Sequence, residues 1–169
     1  MAVATRTDSS NPSRVGGYAR AAAVLALVLI VDQVTKHAVE SGIAAGQVDK
    51  VIPGVKLVDV RNTGVAFSLF SGGGTIVLVV TLVALAGLVG YFALRPGRRW
   101  LWLPTGLLLG GAIGNLIDRV REGAVTDFIK LPHWPAFNVA DTAITFGVIA
   151  LVVTIEVGSR RAGRAGGDG

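Results

Sequence analysis

The chain has 169 residues, of which 51% are hydrophobic and 16% charged, with a mean hydropathy of +0.61 and a formal net charge of +5. So much apolar surface is rare in a soluble domain of this length and points to the bilayer. Cysteine is absent and only His37 and His133 could supply imidazole, which excludes disulfides, thiolate metal sites and a cysteine nucleophile and leaves no metal site expected.

A spanning helix needs about 20 mostly apolar residues. The first such stretch runs from about Ala19 to Val39, after a basic leader holding Arg6, Arg14 and Arg20. It resembles the apolar run of a cleaved signal peptide, but it continues into Asp32–Lys36, a polar helical patch that a cleavable segment does not need. Asp32 and Lys36 stand four apart, on one helical face, with the acid on the favourable N-terminal side. They form either a self-neutralising pair or part of a built site.

An outer loop follows. Val51 to Val60 alternates, is rich in β-branched residues and predicts short strands with a turn at Pro53-Gly54. Asn62-Thr63-Gly64 is a turn signal, and Gly72-Gly73-Gly74 reads as a hinge. The second span runs from about Thr75 to Leu94. A short loop with Arg95, Arg98 and Arg99 leads into the third, from about Trp100 to Ile117. There Gly110 and Gly114 make a small-xxx-small pair suited to close helix contact. Gly111, Asn115 and Asp118 share one face, with Arg119 four residues after Asn115. That stripe reads either as packing with an Asp–Arg pair or as a polar cavity.

The second outer loop carries Asp127 in the apolar segment Val125-Thr126-Asp127-Phe128. The fourth span runs from about Asn138 to Val157, and Asn138 with Asp141 has the spacing of a helix cap. Arg160, Arg161 and Arg164 close the chain. With four spans, the three arginine clusters share one side, which the positive-inside rule makes cytoplasmic. Basic residues that flank apolar runs also argue against nucleic-acid binding. The expected fold is therefore an all-α membrane protein of four transmembrane helices with a small extracytoplasmic β element. Residues 1–18 and 158–169 are cytoplasmic tails and residues 19–157 the core.

Charges at membrane depth cost about 2.5–3.5 kcal/mol each on insertion scales and demand a reason. Two neighbouring carboxylates cannot both ionise readily, so one can serve as base and the other as acid in peptide hydrolysis, without metal or cofactor. A serine–lysine pair drawn from Ser68 or Ser71 with Lys36, Lys56 or Lys130 is a rival chemistry. Proton-coupled transport through Asp32, Asp118 and Asp141 is a rival function, although these acids cluster toward the outer side instead of crossing the membrane.

Five blocks in order, from about Arg20 to Val157, resemble lipoprotein signal peptidase, also called signal peptidase II. They are Asp32-Gln33-Val34-Thr35-Lys36, then Asn62-Thr63-Gly64-Val65-Ala66-Phe67, then Gly110 to Arg119, Val125 to Phe128, and Phe137 to Asp141. Val65 stands where alanine is usual, and Thr142 where serine is more frequent. The resemblance implies an aspartyl endopeptidase of the bacterial cell membrane. It would remove the signal peptide from diacylglyceryl-modified prolipoproteins just before the lipidated cysteine. It implies Asp127 and Asp141 as the catalytic pair, with Asp32, Lys36, Asn62, Gly64, Asn115, Arg119 and Asn138 supporting the pocket or positioning substrate. Asp118 is expected to be structural, held near Arg119. The resemblance also implies a β-cradle in the first outer loop, an outward-facing site in contact with membrane lipid, and inhibition by globomycin-like cyclic peptides.

Overall fold

The computed structural model describes residues 12–44, 47–63, 73–95 and 100–165. Gly64 and the other motif residues up to Phe67, Ser68 and Ser71, and Arg98 and Arg99 lie outside the described residues. The elements in chain order are α1 (Pro12–Gly42), β1 (Val48–Ile52), β2 (Val55–Asn62), α2 (Gly73–Leu94), α3 (Trp102–Glu122), β3 (Val125–Lys130) and α4 (Val139–Ala165). α1 begins at Pro12, where the missing N–H is one of the helix-start donors that has no partner anyway. α3 ends at Gly123, whose positive φ of 72° lets its N–H turn back to the Arg119 carbonyl at 3.1 Å.

α3 is the hub, packing against α1, α2, α4 and β3. Its contact faces carry glycine. A Cβ on Gly106 would lie 2.6 Å from Val24 Cβ, and one on Gly110 would lie 2.8 Å from Val28 Cβ and 2.9 Å from the Leu25 carbonyl. On Gly114 it would lie 2.5 Å from an Asp32 carboxylate oxygen. These three positions, four apart, form the seam against α1. Gly111 opens a second seam, where a Cβ would meet the Ala140 carbonyl of α4 at 2.5 Å. Small residues let backbones approach where lipid removes the hydrophobic incentive for helices to associate.

The outer surface has the reverse character. Leu27, Ile30 and Val34 on α1, Val83 on α2, and Phe146 and Val152 on α4 are exposed. Two helices, Arg14–Gly42 and Val139–Arg160, are long and apolar enough to cross a membrane, and Leu82–Leu94 is a shorter apolar helix. Large apolar side chains outside with small and polar ones inside is the arrangement of a bundle surrounded by lipid.

Two apolar clusters mark the ends of the bundle. Ala21, Phe92 and Leu101 pack with Tyr91, Trp102 and Leu151 at one end. Val39, Ile43 and Phe128 pack with Leu57, Ile129 and Val139 at the other. The second cluster lies under a three-stranded antiparallel sheet of order β1-β2-β3. The expected turn at Pro53-Gly54 joins β1 to β2, with Gly54 at a φ of 87°. β3 was not foreseen as a strand, because its partner lies more than sixty residues upstream. Val125, Thr126, Phe128 and Ile129 nevertheless suit a pleated, half-buried surface.

The seam yields a comparison. Gly110→Ala should lower stability by about 1–3 kcal/mol, because backbone and a β-branched side chain stand where the methyl must go. Gly87→Ala on α2, where a Cβ meets nothing within 4 Å, should leave stability unchanged or raise it by up to about 1 kcal/mol. Thermal unfolding of both variants in the same detergent measures the difference.

Candidate active site

The polar interior begins with Lys36, which is 2% exposed. Its ammonium lies 2.8 Å from Asp32 Oδ2, 2.7 Å from Asp118 Oδ2 and 3.0 Å from Asn115 Oδ1. Three N–H donors meet three acceptors, so the group is fully satisfied without water. Gln33 joins from the same helix, donating to Asp118 Oδ1 at 3.0 Å and to Asp32 Oδ2 at 3.3 Å. Asp118 is therefore not held by Arg119 as expected. Adjacent residues on a helix point about 100° apart; the acid turns inward to Lys36, and Arg119 is half-buried and donates to the Asn115 carbonyl at 3.3 Å. The Asp32–Lys36 pair forms as the spacing implies, but a third residue on α3 shares it.

Asp32 also reaches across the bundle. Its Oδ1 accepts the Ala140 N–H at 2.8 Å, one of the helix-start donors of α4 that has no partner within that helix. The next such donor, the Asp141 N–H, goes to Asn138 Oδ1 at 2.8 Å, and Asp141 Oδ2 faces the Asn138 N–H at 3.4 Å. That reciprocal pair is a capping box with Asp in the place of Glu. The cap expected at Asn138 and Asp141 is thus present, and the same Asp141 carboxyl still accepts from Asn115 Nδ2 at 2.8 Å through Oδ1.

Asp127 sits on β3, 2% exposed. Asn138 Nδ2 donates to its Oδ1 at 2.8 Å and Asn62 Nδ2 to its Oδ2 at 2.9 Å. A strand irregularity decides which β2 residue faces it. Leu57 pairs with Ile129, but Val60 pairs with Asp127, so β2 carries one extra residue in between. Without this bulge Asp59 would oppose Asp127, and Arg61 would occupy the diagonal position on its face. With it, Asn62 does. Asn138 is brought in from the other side because Phe137 pairs back on Ile129, its N–H and C=O both engaged with β3.

Asn138 therefore touches both Asp127 and Asp141, and Asn115 touches Asn138, Asp141 and Lys36. Asp127, Asp141, Asp32, Lys36, Asn62, Asn115 and Asn138 form one connected network, with Arg119 at its edge. Burial pushes the Asp127 carboxyl up to about 6. The amide donors of Asn62 and Asn138 and the Lys36 charge pull the other way, while the Asp141 charge adds to the rise. Two carboxyls held through one asparagine can keep a single proton between them. For the serine–lysine alternative, Lys36 is already saturated by three acceptors and the two serines lie outside the described residues.

Sequence reasoning did not single out Gln33, Glu40, Arg61, Glu122 or Thr126. Arg61 Nη1 pairs with Glu122, lies 3.4 Å from Glu40 Oε1 and donates to Thr126 Oγ1 at 3.1 Å. Glu40 could have been found, since it continues the four-residue spacing of Asp32 and Lys36 along α1.

The family model described as Signal peptidase (SPase) II matches residues 24–157. The chain is 44% identical over 130 residues to the lipoprotein signal peptidase of Pelotomaculum thermopropionicum, covering 76% of this chain and 86% of that protein. It is 41% identical over 147 residues to the lipoprotein signal peptidase of Geobacter metallireducens, covering 82% and 91% respectively. A solved structure of a bacterial membrane enzyme, obtained by the in meso method at 1.9 Å resolution, superposes with a TM-score of 0.73 at 34% identity. That match covers 80% of this chain and 91% of the other.

Two measurements test the geometry. Lys36→Met should cost about 3–5 kcal/mol in detergent unfolding, because Asp32 and Asp118 are left buried around a neutral side chain. Isotope-edited infrared spectroscopy should show the Asp127 carboxyl titrating near pH 6. Asn62→Ala should move that titration to higher pH, since it removes a donor that favours the ionised form.

Proposed function

The chain belongs to the signal peptidase II family, membrane aspartic endopeptidases that remove signal peptides from prolipoproteins, and on that premise we propose that Asp127 and Asp141 are its catalytic pair. The observation that carries this is Asn138. Its side chain donates to Asp127 at 2.8 Å while accepting from the backbone of Asp141 at 2.8 Å, so one residue sets the position of both acids.

In this reading Asp127, whose carboxyl is pushed up to about 6, holds the proton and donates it toward the scissile carbonyl oxygen. Asp141 takes a proton from water as that water's oxygen attacks the carbonyl carbon. The tetrahedral intermediate then collapses, the C–N bond breaks, and the departing amine receives a proton from the pair. Arrival of an apolar signal peptide excludes more water and favours the protonated acid further. Asn62, Asn115 and Asn138 orient the carboxyls, and Asp32 and Lys36 hold the framework. Arg119 at the rim binds substrate backbone, and Gly64 supports substrate binding.

The substrate carries a diacylglyceryl-modified cysteine, and cleavage falls just before it. The lipid chains stay in the bilayer beside the exposed apolar faces of the helices, with the sheet above as a cradle. Globomycin-like cyclic peptides compete for this pocket. The proposed topology has four spanning helices, both termini in the cytoplasm and the sheet outside. In support, Arg14, Arg20, Arg95 and Arg160 belong to the end of the bundle opposite the sheet, where Tyr18 of α1 donates to the Ala93 carbonyl of α2 at 3.4 Å.

Purified Asp127→Asn and Asp141→Asn, folded in detergent, should each lose about 10²–10⁴-fold in kcat on a lipidated prolipoprotein. Near-parental turnover by either folded variant would sink the assignment. Activity should fall as pH rises, because the ionised pair no longer holds a proton to donate. The limb in kcat/KM should lie near pH 6, and the limb in kcat higher, since the bound complex is drier.

A further inference from the structure

We infer that Thr126 is a positioning residue for Asp127, its hydroxyl locking β3 at the place where the neighbouring carboxyl meets Asn62 and Asn138. The inference rests on the proposed role of Asp127 and deepens it.

Thr126 is fully buried, and all its polar groups are engaged. Its hydroxyl donates to Glu40 Oε1 at 2.6 Å and accepts from Arg61 Nη1 at 3.1 Å. Its N–H faces Asp118 Oδ2 at 3.4 Å, and its carbonyl accepts from Asn138 Nδ2 at 3.3 Å. One residue thereby ties β3 to α1, β2, α3 and the start of α4. Valine has nearly the same shape and suits a strand as well. Packing alone therefore does not call for a hydroxyl here.

The direction of the side chain defines its role. Successive strand residues point to opposite faces, so Thr126 points away from the carboxyl of Asp127 and toward Glu40. Its influence passes through the backbone. Arg61 is its cross-strand partner, and Val60, one residue earlier in β2, is that of Asp127. Arg61 also pairs with Glu122 at the end of α3 and approaches Glu40 near the end of α1. The hydroxyl is the point where two helix ends and two strands meet, one peptide from the acid. If β3 moves, Asp127 leaves the amide donors of Asn62 and Asn138, while the charges of Asp141 and Lys36 stay where they are.

The test compares Thr126→Val with Thr126→Ser in detergent on a lipidated prolipoprotein, with rates expressed per folded enzyme. Thr126→Val should lose about 10- to 100-fold in kcat, the scale of a misplacement near 1 Å. KM should change little, and the alkaline limb should move to higher pH as Asp127 loses its donors. Thr126→Ser, which keeps the hydroxyl, should restore both. Parental kcat and pH profile in Thr126→Val, or equal impairment of the two variants, overturns the inference. If Thr126→Val does not fold, Glu40 decides. Glu40→Gln, whose amide oxygen can still accept, should stay near the parent, and Glu40→Ala should show the same loss and the same shift. An unchanged Glu40→Ala overturns it. Asp127→Asn is run alongside: if that variant is active, the catalytic assignment fails, and not the positioning role alone.

Discussion

The Lys36 ammonium stands between α1 and α3, surrounded by Asp32, Asp118 and Asn115. One cation cannot neutralise two carboxylates, so the remaining negative charge needs other donors. Asp32 finds one in the Ala140 N–H at the positive end of α4, and Asp118 finds others in Gln33 and the Thr126 N–H. α1, α3, β3 and the start of α4 each bring a group to this cluster. The glycines of α3 are a precondition, since a methyl on Gly114 would occupy space beside the Asp32 carboxylate.

The start of α4 shows how structure and chemistry share residues. Four helix-start donors normally look for partners. Here Asp32 serves one from another helix and Asn138 serves another from the N-cap. Asn138 turns its amide protons to Asp127, Asn115 and the Thr126 carbonyl. Asp141 closes the cap and is also the proposed base. A residue that must be immobile for one purpose is therefore immobile for the other, which is how a small chain can fix two carboxyls.

Much of this was readable from residue order alone. The length and purity of the apolar runs gave the helices. The four-residue spacing of Asp32 and Lys36 gave their pairing, and the three-residue spacing of Asn138 and Asp141 gave the cap. Those relations are local, and local geometry follows from helical period. What escaped was set by distant pairing. The strand character of Val125 to Lys130 depends on β2. The choice of Asn62 over Arg61 depends on a single extra residue in that strand, and the turn of Asp118 toward Lys36 depends on how α3 lies on α1. Asp127 and Asp141 were separated from the other acids only by resemblance. Their shared contact with Asn138 now supplies a physical reason for grouping them.

The pairing of Asp32 with Lys36 four residues apart has a consequence for biogenesis. Translation delivers α1 to the bilayer before α3 exists, so Asp118, Asn115 and the α4 amides cannot yet help. A lone acid or base in that helix would resist leaving the insertion channel. As an adjacent pair on one face, the two charges cancel locally and the segment can partition sideways into lipid as a nearly neutral rod. The later helices then take over partners that the first one has carried in together. The order in which the chain is made is thus compatible with a site assembled from its first and last helices.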